Sequence, residues 1–302
     1  MADDSSTPTT APFGRVLTAM VTPFHDDGSL DLDGAAALGD HLVGQGCDGL
    51  VISGTTGESP TTTDAEKDLL LRVVLDAVGD RATVVAGVGT YDTHHTVELA
   101  QQAEKAGAHG LLVVTPFYSK PPQAGLVRHF TAAADATGVP VMLYDIPGRS
   151  GVAIATETLV RLAEHERIVA VKDAKGDLFA SAEVMARTEL AYYSGDDALN
   201  LAHLTQGAAG IVSVVAHVAA AQYAAMVAAV DAGDLRDAIR LHRQLLPAVR
   251  AIMTRTQGAI MAKAAAQLAG VLTSRTMRLP LVEASEEQMV DLRADLAAAG
   301  LL

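Results

Sequence analysis

The sequence has no tryptophan and a single cysteine, Cys47, among 302 residues. One cysteine cannot form an intrachain disulfide, so the fold must rest on burial of apolar surface, and the count fits a reducing compartment. Cys47 sits among apolar neighbours and reads as packing. Basic residues are also scarce, 22 against 36 acidic ones, for a formal net charge of −14. That lacks the basic footprint of a nucleic-acid binder, and an anionic substrate would need local positive groups. Long hydrophobic runs are missing too: none approaches the ~20 residues of a membrane span. The opening MADDSSTPTTAP has no apolar segment of the kind a secretory signal needs, so a cytoplasmic address and a flexible tail over residues 1–13 are expected.

What is present is apolar surface. Hydrophobic residues make up 49% of the chain and charged ones 19%, enough for a large core. Short β-branched runs recur, each followed by a Gly/Pro/Thr/Asp cluster and then an Ala/Leu-rich helical stretch. Strands are expected to begin near Val16, Gly49, Thr83, Gly110, Pro140, Ile168, Ala191 and Gly210. Most are continuously apolar, as parallel strands buried on both faces require. Helices are expected over 32–45 (capped by Asp31 or Asp33), 64–78 (capped by Asp64), 93–106, 123–137, 156–164 and 178–187. Such alternation predicts an α/β fold, a (β/α)8 TIM barrel over 14–232. The open doubly wound sheet is disfavoured because no GxGxxG opens a helix. Only helical segments follow, 216–231, 235–253, 258–270 and 285–298. The first closes the barrel and the rest form a C-terminal helical region over 233–302.

In such a barrel the chemistry lies at the C-terminal strand ends. Lys172, one of six lysines, follows the apolar run IVAV at the end of the sixth strand. A lysine there loses hydration, its pKa falls, and the neutral amine can attack a ketone to form an imine that acts as an electron sink. Asp173 alternates to the opposite strand face and is not its partner. Tyr144 ends the neighbouring strand and can carry protons, or it could simply bridge core and solvent. Thr55 and Thr56 lie in a Gly-flanked turn whose hydroxyls and N–H groups can bind a carboxylate, or that could merely turn the chain. Arg149 could clamp a second carboxylate or be an ordinary surface arginine.

The segments GTTGESPTTT (54–63), VTPFYSKPPQ (114–123), YDIPGRSG (144–151), VKDAKGD (171–177) and SGDDALN (194–200) together resemble the dihydrodipicolinate synthase (4-hydroxy-tetrahydrodipicolinate synthase) family. That family belongs to the pyruvate-dependent class I aldolases, with the N-acetylneuraminate lyases. The resemblance runs from about Gly14 to the chain end. It implies a Schiff-base lyase in which pyruvate condenses with Lys172, becomes an enamine and attacks L-aspartate-4-semialdehyde, in lysine and diaminopimelate biosynthesis. It further implies a proton relay of Tyr144, Thr55 and Tyr118, with Tyr118 crossing a subunit interface. Thr55 and Thr56 would hold the pyruvate carboxylate and Arg149 the semialdehyde, with Gly195 and Val212 lining the pocket. The family needs no cofactor and no metal, and it usually forms a homotetramer, a dimer of tight dimers. His94-His95 reads as a solvated helix start rather than a metal site, because adjacent residues diverge around a helix.

Two other readings remain. A sister lyase acting on a sugar acid or another 2-oxo acid would keep Lys172 and Tyr144 but would want hydroxyl-binding groups where Arg149 stands. A non-catalytic paralogue binding a small acid would be expected to lack the lysine or the tyrosine. One departure concerns regulation. Positions matching the family's lysine-feedback site carry Asp64, Lys67, Tyr91, His95 and Phe117, and a cationic Lys67 would repel a cationic effector. Insensitivity to lysine is therefore expected.

Overall fold

Eight short, mostly apolar runs form eight parallel strands, and the last closes on the first. The computed structural model describes residues 10–302. The strands are β1 (Val16–Ala19), β2 (Gly49–Ile52), β3 (Thr83–Gly87), β4 (Gly110–Val114), β5 (Val141–Asp145), β6 (Ile168–Asp173), β7 (Ala191–Ser194) and β8 (Gly210–Ser213). They hydrogen-bond in sequence order around a closed barrel. Nearly every strand residue is buried, which is why the runs are apolar throughout rather than alternating. The fifth strand begins one residue later than expected, because Pro140 has no N–H to give to the ladder.

The helices return the chain along the outside. They are α1 (Leu32–Gly44), α2 (Asp64–Val78), α3 (Thr93–Ala106), α4 (Gln123–Asp135), α5 (Pro147–Ser150), α6 (Thr156–Leu162), α7 (Leu178–Arg187), α8 (Asn200–Thr205) and α9 (Ala216–Asp231). The N-cap of α1 is Asp31, which accepts from the Gly34 N–H. The cap of α2 is Thr63 rather than the expected Asp64. Thr63 takes the extended conformation, and Glu66 returns its carboxylate to the Thr63 N–H in a capping box.

Beyond the barrel lie α10 (Leu235–Val249), α11 (Gly258–Leu268) and α12 (Glu286–Ala298). The helix expected over 235–253 ends its α-helical part at Val249 and runs on as a π turn, Arg250–Thr254, just after Pro247 interrupts the ladder. One cluster of buried apolar side chains runs from Phe13 through the barrel wall to Ala299, so the C-terminal helices share the barrel's core.

Of the expected tail 1–13, residues 1–9 lie outside the described residues. Phe13 is fully buried, so the packed chain begins before Gly14. Its ring closes the N-terminal end of the barrel 6.2 Å from Tyr193. Gly110 is required there: a Cβ at that position would lie 2.3 Å from the Phe13 ring. Among the described residues no helix is long and apolar enough to cross a membrane.

Candidate active site

Alternation along β6 separates its last two residues. Asp173 faces the helices, accepting from Ser181 Oγ at 2.9 Å and from the Lys175 N–H at 2.8 Å. Lys172 stands in register with Tyr144 on β5 and Tyr193 on β7. Parallel neighbours in register share a face of the sheet, so lysine and tyrosine meet. The Lys172 amine lies 4.2 Å from the centre of the Tyr144 ring, and the two residues are 4% and 6% exposed.

The space for the lysine stem comes from Gly195. A Cβ there would lie 2.9 Å from Lys172 Cγ and 3.0 Å from Cε, so any larger residue would displace the amine. Burial drives the Lys172 ammonium down to a pKa of about 7; Asp197 opposes that shift and Arg149 adds to it. Half of the amine is then neutral near pH 7, where an ordinary lysine is almost wholly protonated. Burial pushes the Tyr144 phenol up to about 12, so it keeps its proton at neutral pH and can donate it.

A cavity of about 420 Å³ opens beside this pair, at the C-terminal end of the barrel. Thr55, Tyr144, Ile146 and Arg149 are among its walls. Lys172, Thr56, Gly195 and Val212 are not; Tyr144 is the side chain that meets both the lysine and the cavity. Thr56 is buried in the turn beside Thr55, and Val212 is buried in β8 opposite Leu17 of β1. Among the described residues none accepts a hydrogen bond from the Thr55 or Thr56 N–H, which leaves two adjacent donors for an anion. Arg149 is not at a strand end but on the one-turn helix α5, exposed, with its charge at the cavity.

The structure does not bring Tyr118 to Thr55 and Tyr144. It is 93% exposed, in the left-handed region at φ +75°. Next to it, Phe117 packs edge-on against the exposed Tyr91 with ring centres 5.4 Å apart. His95 pairs with Asp64 at 2.9 Å, and His94 is exposed.

Sequence reasoning missed Asp197. This buried carboxylate accepts from Asn200 Nδ2 at 3.1 Å, the Val214 N–H at 2.9 Å, the Val215 N–H at 3.1 Å and the Ser213 hydroxyl. It thereby ties the end of β8 to the loop after β7, and its charge is the one that opposes the fall of the Lys172 pKa. The signal was the second acid of Gly195-Asp196-Asp197 just after a strand.

The dihydrodipicolinate synthetase family model matches residues 12–299. A protein of Kineococcus radiotolerans named 4-hydroxy-tetrahydrodipicolinate synthase is 71% identical over 290 residues, covering 96% of this chain and 94% of that one. Among solved structures, a dihydrodipicolinate synthase from Bacillus anthracis is 41% identical with a TM-score of 0.91, covering 94% of this chain and 98% of that one. The enzyme of Cyanidioschyzon merolae, solved with lysine bound, is 40% identical with a TM-score of 0.94, covering 97% of this chain and 100% of that one. With its barrel closed, its lysine buried against Tyr144 and nearly its whole length matched, the chain belongs to the dihydrodipicolinate synthetase family.

Proposed function

We propose that this chain is a 4-hydroxy-tetrahydrodipicolinate synthase that condenses pyruvate with L-aspartate-4-semialdehyde through a Schiff base on Lys172. The observation that carries the reading is the buried amine, lowered to about 7 and held 4.2 Å from the Tyr144 ring beside a cavity with Arg149 at its edge. The neutral amine attacks the pyruvate ketone, and the carbinolamine loses water to give the imine. Loss of a C3 proton gives the enamine, whose C3 attacks the aldehyde carbon of the second substrate. The substrate's own amine then displaces Lys172 as the ring closes and the free enzyme returns. Tyr144 supplies and recovers protons at the nitrogen and the new hydroxyl. The Thr55 and Thr56 hydroxyls and N–H groups hold the pyruvate carboxylate, and the Arg149 guanidinium receives the carboxylate of the semialdehyde. Gly195 and Val212 shape the pocket. No cofactor and no metal is required by this chemistry.

The proposed assembly is a homotetramer built as a dimer of tight dimers, with the exposed Tyr118 entering the neighbour's relay of Tyr144 and Thr55. Light scattering that found only monomers in the active preparation would remove Tyr118 from the relay. The proposed compartment is the cytoplasm, and recovery in an extracytoplasmic fraction would contradict it.

The test is a reductase-coupled assay supplied with both substrates. NADPH oxidation that needs both of them and this protein is expected. If pyruvate is trapped on the protein but the semialdehyde is not consumed, a sugar-acid acceptor becomes the better reading.

Protonation sets the pH dependence. The reactive form is the neutral amine, so with a pKa of about 7 imine formation should fall about tenfold per unit below pH 7 and level off above it. Trapping rates that kept climbing toward pH 10 would show an unperturbed lysine.

Insensitivity to lysine follows from Lys67, which lines the cavity mouth and donates to the Thr62 carbonyl at 2.5 Å. A second ammonium there meets like charge and an acceptor already taken. Activity is expected to be unchanged at millimolar lysine, and half-inhibition at submillimolar concentration would overturn this.

A further inference from the structure

The turn that carries Thr55 and Thr56 does not stand by its own hydrogen bonds alone. Its fifth residue, Glu58, takes the left-handed conformation at φ +55° and points its carboxylate into the protein, where it is 2% exposed. There it meets Lys263, which is fully buried in helix α11, where the only other polar side chain is Gln267. The ammonium donates to Glu58 Oε1 at 2.5 Å and to the Thr276 carbonyl at 2.8 Å. The second carboxylate oxygen accepts from the Arg278 N–H at 2.9 Å. The Arg278 side chain continues along the same segment, donating to the Thr61 carbonyl at 2.9 Å and to both oxygens of Glu66. Phe24 lies against both cations, its ring centre 4.4 Å from the Lys263 amine and 4.4 Å from the Arg278 guanidinium carbon.

A buried ion pair is a poor source of net stability, because desolvating the two charges costs about as much as their attraction returns. An apolar pair would fill α11 at least as well. What the charges add is direction, since Glu58 can satisfy its oxygens in one place only. Its own N–H donates to the Thr55 carbonyl at 3.2 Å, and the Ser59 N–H to the Gly54 carbonyl at 3.3 Å, so the backbone position of Glu58 fixes that of Thr55. On the other side Thr22 Oγ1 donates to the Gly57 carbonyl at 2.6 Å.

We propose that Lys263 and Glu58 are positioning residues: their buried pair is a strut by which the C-terminal helices hold the Thr55-Thr56 turn in the geometry that receives the substrate carboxylate. The inference rests on the functional reading above for the identity of that carboxylate as pyruvate's. The strut explains a charged residue in an Ala-rich buried helix, and it gives the C-terminal region a role in the site although none of its residues lines the cavity. Neither Lys263 nor Glu58 touches the reacting atoms, so loss of the pair should weaken pyruvate binding rather than abolish the chemistry of Lys172.

The experiment uses the full chain with Glu58→Gln and Lys263→Met combined. This removes both charges together, and the new side-chain amide keeps an oxygen for the Arg278 N–H. Lys263→Gln alone, which keeps a neutral donor, is the milder variant should the double one fail to fold. Hydrogen exchange of the peptide spanning 54–61 is read first, without any substrate, and then the half-saturating pyruvate and semialdehyde concentrations. Exchange in the turn should quicken at least about tenfold while β6 is unchanged. The pyruvate requirement should rise about tenfold while the semialdehyde requirement stays within about twofold, and the maximal rate should fall less than the pyruvate affinity, since Thr55 also belongs to the relay. Unchanged exchange in a folded variant would show that no strut exists. Faster exchange with unchanged pyruvate affinity would show that the strut does not serve the site. Failure of the wild-type protein to bind pyruvate would sink the functional reading instead, while the exchange measurement would still decide the strut.

Discussion

Lys172→Ala is expected to lose turnover by a factor on the order of 10⁴ or more while remaining folded. The Lys172 nitrogen is the only protein atom in the scheme that becomes bonded to substrate, and the other lysines near it are already held by partners. Lys67, at the cavity, donates to the Thr62 carbonyl at 2.5 Å, Lys175 is committed to Asp145 at 3.4 Å, and Lys263 is locked to Glu58. Folding should survive because the substitution removes a buried cationic group, which burial already disfavours. Asp197 loses a nearby positive charge but keeps its hydrogen bonds from Asn200, Ser213, Val214 and Val215. A circular-dichroism melt beside the coupled assay checks both halves. Turnover within about tenfold of wild type in a folded Lys172→Ala protein would remove the lysine from the mechanism.

Tyr144→Phe should cost about 10²- to 10⁴-fold in turnover, the range over which a positioned proton donor acts. The ring itself would remain to pack over the Lys172 stem, so the change isolates the hydroxyl. With a phenol pKa near 12, Tyr144 is a weak acid that serves by geometry rather than by easy ionisation. Pyruvate should still become attached to Lys172 in this variant, only more slowly, whereas product formation should nearly stop. Stopped-flow mixing with pyruvate, set against the steady-state rate, separates the two steps. Unimpaired steady-state turnover would mean that water or another group carries the protons.

The barrel was legible because each strand is a short, continuous apolar run closed by turn residues, and burial on both faces leaves no other pattern. The longer helices were legible from their caps and apolar spacing; α2 and α3 begin and end at the expected residues. The one-turn α5 and the six-residue α8 were not, since neither is long enough to show a helical period. That Lys172 and Tyr144 meet was legible because each ends a buried apolar strand and the two strands are neighbours. Asp197 left only a faint local trace, an acid just after a strand, and the Glu58–Lys263 pair left none. Apart from Asn200, the partners of Asp197 lie 16 to 18 positions away and that of Glu58 lies 205 away, and no local pattern records such distances.

Catalysis turns on a covalent bond between pyruvate and the Lys172 nitrogen. The most direct measurement is mass spectrometry of the intact protein, and then of its peptides, after incubation with pyruvate and borohydride. A single N-carboxyethyl group per chain is expected, carried by Lys172 and absent when pyruvate is omitted. An unmodified protein that nonetheless turns over both substrates, or a full-occupancy adduct on any other lysine, would contradict this.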